Sequence, residues 1–207
     1  MANDSHNAGF IRRQVMKYMP PEVKVPLLGY PVHENMVTLP GNRLVSLIRL
    51  KGVSHETQCN EDLKQWFFKL NRYFVALGKK EGKNLMLQSY VTKTGIELNT
   101  EYDLPLPALQ DFVDAYTAPF RDGTFRQVGY SLALVLKYRD LDDGIRRMKE
   151  LLTISKTSLA MYDPAIMALE ENEQGALYSQ VGRFLSLLIN GHEQDVLCSD
   201  TRLGEAV

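Results

Sequence analysis

The sequence predicts an α+β fold: a small mixed β-sheet covered by helices, followed by a C-terminal helical subdomain. Three observations carry this expectation. Up to Asp140, strand-like and helix-like runs alternate in the order β-β-α-β-α-β. The run "QVGYSLALVLKY" places Val128, Tyr130, Leu132, Leu134, Leu136 and Tyr138 in strict alternation, the period of a strand. Beyond Asp140 the apolar residues return in steps of three, four or seven, the period of helices. The division that follows is an N-terminal arm (1–34), a sheet body (35–139) and a helical block (140–207).

The arm reads as irregular. "FIRRQVMKYM" sets Phe10, Ile11, Val15 and Met19 against Arg12, Arg13 and Lys17, a short basic amphipathic stretch ended by Pro20 and Pro21. Arg12, Arg13 and Lys17 are the candidate docking residues. "NMVTL" and "RLVSLIRL" flank the turn tripeptide "PGN", which predicts a hairpin. The second strand is apolar on both faces, as a strand covered on both sides is. Asn60 is placed to cap a helix, with Glu61 and Asp62 at its positive end. Leu63, Trp66, Phe67, Leu70, Phe74 and Leu77 fall at helical spacing, so Trp66 is expected in the core and Gly78 as the stop.

"NLMLQSYVTKT" predicts a strand and "PALQDFVDAYTAPF" a helix starting near Pro107. The next strand presents Gly129, Ser131 and Ala133 on its second face. In the last block, Leu141, Ile145, Met148, Leu152 and Leu159 mark one helix. Asp163-Pro164 looks like a cap and first helical position of another. "EENE" at 170–173 reads as an acidic turn, and a final helix is expected from about Gln174 to Asn190, before Gly191.

The chain has 207 residues, 44% hydrophobic and 24% charged, with a net charge of −1. It is long enough to bury a substantial core, and its charge balance argues against nucleic acid as the main partner. Arg72, Lys79, Lys80 and Lys83 would have to gather with the arm's cations on one face to change that. Cys59 and Cys198 show no CxxC or zinc pattern and are expected as reduced thiols. No run of about 18 apolar residues occurs, nor a signal-peptide core. A cytoplasmic protein that meets the membrane only peripherally, through a partner, is therefore expected.

Chemical motifs fail one by one. "GKK" and "GKN" near residue 80 lack the upstream glycine and the Ser/Thr of a P-loop. "RDLDDGIRRMKE" would put Arg139 and Leu141 where a calcium loop needs oxygen ligands, so Asp140, Asp142 and Asp143 are read as helix-cap acids. "NGHEQD" is not HExxH, and the four histidines are scattered. His55 and Cys59 are four apart, but nothing frames them as base and nucleophile. No catalytic, cofactor-binding or metal residue is assigned.

"GNRLVSLIRLKGVSHET", "LKQWFFKLNRYFVALG" and "NLMLQSYVTKT", followed by "YSLALVLKYRD" and "FLSLLINGHE", resemble the N-terminal region of the type IV secretion ATPases of the VirB/TrbE/CagE family. The resemblance spans roughly residues 35–192 and points to a divergent branch, the Dot/Icm (type IVB) one. It implies an assembly and docking domain, with ATP and Mg²⁺ handled by a C-terminal P-loop domain that has no counterpart here. The implied partners are other subunits of the secretion machinery and further copies of the full-length ATPase, at the cytoplasmic face of the inner membrane. A cloned N-terminal fragment, not itself an enzyme, is the simplest account. The alternative from the residues alone is a small cytosolic α+β enzyme whose site is assembled from residues such as His55, Asp103 and Tyr130. A deep polar pocket would favour that enzyme, and a broad exposed apolar patch would favour docking.

Overall fold

The structure is a computed structural model and describes residues 29–53, 58–95, 102–121, 125–198 and 203. The fold is α+β. Contacts divide it into two compact units: Tyr90–Tyr130 is one, and the flanking residues, up to Ser89 and from Ser131, are the other.

The larger unit is built on β1 (Pro31–His33), β2 (Met36–Leu39), β3 (Arg43–Leu50), the first half of β4 (Leu85–Gly95), most of β5 (Arg126–Lys137) and β6 (Pro164–Ile166). Among the described residues these form one sheet in the order β1-β2-β3-β5-β4, with β6 also pairing to β3. β1–β2, β2–β3 and β3–β6 are antiparallel. The "PGN" turn joins β2 to β3, and Gly41 and Asn42 take the left-handed conformations that such a turn demands. Leu44, Val45, Ser46, Leu47 and Ile48 are all buried, as the two-faced pattern of β3 predicts.

Two helices complete the core, α1 (Asn60–Glu81) and α3 (Leu141–Ser158). Met36, Leu44, Ile48, Leu134 and Leu136 from the sheet cluster with Tyr73 and Leu77 of α1 and Met148, Leu151 and Leu152 of α3. Asp140 caps α3 by accepting the Asp143 N–H at 2.9 Å, the role expected for the acids there.

Several expectations are corrected. Pro31–His33, placed in the irregular arm, is a strand, and proline is tolerated at its first position. The cap of α1 is Cys59, not Asn60, and the helix runs through Gly78 to end at Gly82. Ion pairs from Lys80 to Glu150 and from Glu81 to Arg147 anchor the last turn, which offsets the roughly 1 kcal/mol that an interior glycine costs. The buried face of α1 centres on Tyr73 and Leu77. Trp66 and Leu70 are half-buried, and Phe67 and Phe74 are exposed.

The C-terminal block is not continuous helix. Asp163 adopts a left-handed conformation and pairs with Lys51 at 2.9 Å. Pro164, which lacks an N–H, then opens β6 instead of a helix. Glu170 and Glu171 lie in β7 (Leu169–Glu171), paired with β8 (Leu177–Ser179). The turn between them is built by Asn172, whose Oδ1 accepts the N–H groups of Gln174 and Ala176. The last helix, α4 (Gln180–Asn190), therefore starts later than expected, capped by Ser179 and stopped by left-handed Gly191.

In the smaller unit, α2 (Pro107–Arg121) lies in sequence between β4 and β5. The alternating set of β5 is not uniformly buried: Leu134 and Leu136 are core, whereas Val128 and Tyr130 are exposed.

Candidate interaction surface

Among the exposed polar residues of α1, such as Lys64, Lys69 and Asn71, stand four exposed apolar ones. Phe67 is 63% exposed, Phe68 62%, Val75 54% and Phe74 43%. The two aromatic neighbours and the Phe74-Val75 pair stand seven residues apart, two turns along one helix face. Inward, Tyr73 and Leu77 have spent the helix's core contacts on the sheet and α3. Burial of one large apolar side chain is worth roughly 1.5–3 kcal/mol, so leaving four in water forgoes stability that an ordinary polar surface would not. Exposed apolar patches of this kind mark interaction sites.

The smaller unit repeats the theme. On α2, Leu109, Phe112 and Tyr116 are exposed at steps of three and four. Phe112, Tyr116, Phe120 and Phe125 form a ladder of rings, with successive centroids 6.5, 5.9 and 4.8 Å apart.

Two of the residues named as an alternative catalytic set, Asp103 and Tyr130, fall among the described residues. Asp103 and Tyr130 are both exposed, and neither lines either of the two clefts described for the larger unit. His55 lies outside the described residues, as do Arg12, Arg13 and Lys17. His33 is buried beside Asn35, whose Oδ1 is 3.0 Å from its Nδ1. Burial, and secondarily the charge of Lys149, lower its pKa below the ordinary 6.5. Cys59 and Cys198 are free thiols. Cys59 is exposed and its Sγ donates to Asp62, while burial pushes the Cys198 thiol up to about 11. Among the described residues no group of His, Cys, Asp and Glu is arranged to hold a metal ion, and no helix is long and apolar enough to cross a membrane.

The two clefts differ in kind. One, of about 430 Å³, lies between α1 and the end of α3 and includes Lys69, Arg72, Thr157 and Ser158 in its walls. The other, of about 480 Å³, sits where α1 ends and α3 begins. Lys83, Lys137, Arg139 and Arg147 contribute to its lining, with Asp143. Sequence reasoning missed this second cluster, because its cations come from three separate segments.

No protein-family model matches the chain, and no curated protein matches its sequence.

Proposed function

We propose that this chain is the N-terminal assembly domain of a type IV secretion ATPase of the VirB/TrbE/CagE kind, in the Dot/Icm branch. It attaches the ATPase to the inner-membrane secretion complex from the cytoplasmic side, and the ATP- and Mg²⁺-dependent step belongs to a C-terminal domain. The observation that supports docking over catalysis is the row of exposed apolar side chains on α1. Paired apolar residues two turns apart suit one occupant in particular, an apolar helix of a neighbouring subunit, which would lay its side chains between Phe67-Phe68 and Phe74-Val75. One of the stretches that carry the resemblance, "LKQWFFKLNRYFVALG", is the same helix.

The test is to place Phe67→Asp and Phe74→Asp together in the full-length protein. Both side chains are exposed, so circular dichroism and Tm of the domain should be retained. Recruitment to the secretion complex and secretion itself should be lost. Normal recruitment by a folded double variant would overturn the proposal. A second check is chemical: purified chain should not hydrolyse ATP, whereas the sequence encoded after Val207 should contain a GxxxxGK[ST] P-loop.

A further inference from the structure

We propose that the cleft between the end of α1 and the start of α3 binds a phosphate-bearing small molecule. The first reason is charge accounting. Arg147 Nε donates to Glu81 Oε1 at 2.9 Å, and a second guanidinium nitrogen reaches Oε2. Arg147 also meets Asp143 at 3.4 Å, and Asp143 is shared with Arg146. The single carboxylate in the lining is thus already committed to two arginines. Among the described residues, Lys83, Lys137 and Arg139 have no carboxylate within ion-pair distance. Three unneutralised cations therefore share one concavity, on a chain whose net charge is −1. Cations gathered inside a concave wall focus their field on what enters it.

The second reason is the rigidity of the wall. Arg147 is fixed to the last residue of α1, so the cleft bridges two helices that are clamped together. Tyr138 stands between Lys137 and Arg139 and is half-buried against α3. Gly144 permits that approach: a Cβ there would lie 2.8 Å from the Tyr138 Cβ. The two cations on either side of Tyr138 are thereby held on an anchored segment. Asp140 caps the first turn of α3 through the Asp143 N–H, and recognition is assigned to the side chains. Guanidinium and ammonium groups matched to phosphate oxygens supply it. The volume, about 480 Å³, suits a small molecule.

The phosphate could be carried by a free nucleotide or by a lipid headgroup, and the experiment separates them. Calorimetric titration with inorganic pyrophosphate should saturate at one site per chain. Lys137→Glu with Arg139→Glu should weaken it at least about tenfold. Lys64→Glu with Lys69→Glu, the same charge change in the first half of α1, should leave it within about twofold. Tm of both variants is compared with wild type, and Lys137→Gln with Arg139→Gln serves as a milder pair should the reversal unfold. No saturable pyrophosphate binding, or equal weakening by the control pair, overturns the proposal. Where binding is found, ADP exceeding pyrophosphate identifies a nucleotide. Flotation with phosphatidic acid vesicles, but not with phosphatidylserine vesicles, identifies a lipid phosphate.

Discussion

Tyr73 and Ser155 show how a single polar pair is fitted into an apolar core. Their hydroxyl oxygens are 2.9 Å apart and both residues are buried. Ser155 donates its proton to the Leu151 carbonyl at 2.8 Å, so Tyr73 is the donor between the two. The consequences of removing either partner are unequal. Tyr73→Phe leaves Ser155 still bonded and should cost about 1 kcal/mol. Ser155→Ala strands a buried phenol and should cost more, about 2 kcal/mol. In the double variant the second loss should be largely recovered, and urea denaturation of all four proteins would reveal the coupling. His33 gives a pH dependence. Its pKa is lowered in the folded state, chiefly by burial, so the unfolded chain binds the proton more readily. That contribution is complete above the unfolded value of 6.5 and is lost as pH falls through the lowered one. The unfolding free energy of wild type should decline across that window, and His33→Gln should flatten the decline.

At the scale of elements, α1 and α3 are held in register by apolar packing and by Glu81–Arg147, whose side chains are only 6% and 18% exposed. Arg147→Ala leaves Glu81 buried and uncompensated. It should destabilise the domain by about 3 kcal/mol, measurable as a lower urea midpoint with an unchanged slope. This helix pair also shows what the sequence could convey. That α1 exists was legible from length and spacing, but its inward face was not. Phe67, Phe68, Phe74 and Val75 lie outside, and Leu70, Tyr73 and Leu77 inside or partly so. Apolar residues thus surround the helix, and periodicity alone cannot choose a side. The β2–β3 hairpin was legible because "PGN" and a two-faced apolar run agree. β6, β7 and β8 were not, since each has three residues. No alternation can be read over so short a span, and β6 is defined by its pairing to distant β3.

For the whole molecule, the α+β class was legible because alternating periods report it directly. The apolar stripe on α1 was visible but was read as core, which is what such stripes usually are. The cationic cleft was invisible because Lys83, Lys137 and Arg139 become neighbours only through the fold. The arm is tested by deletion. Removing residues 1–21, or replacing Arg12, Arg13 and Lys17 with Glu, should leave the Tm of the folded body unchanged. On the proposed docking function, each should reduce recruitment of the full-length protein, the charge reversal more strongly at low salt. Wild-type recruitment by both would assign docking to the folded body alone.

The larger unit is discontinuous in sequence, interrupted by Tyr90–Tyr130, and this sets a timetable for its synthesis. When β3 leaves the ribosome its neighbours β5 and β6 do not yet exist, nor does α3, which supplies Met148, Leu151 and Leu152 to the shared core. A nascent chain ending near residue 130 therefore carries the apolar faces of β2, β3 and α1 without their cover. Long-range closure of this kind is slow and exposes sticky surface in the interval. Force measurements on chains stalled at increasing lengths should show the main pull only after Ser158 has cleared the exit tunnel.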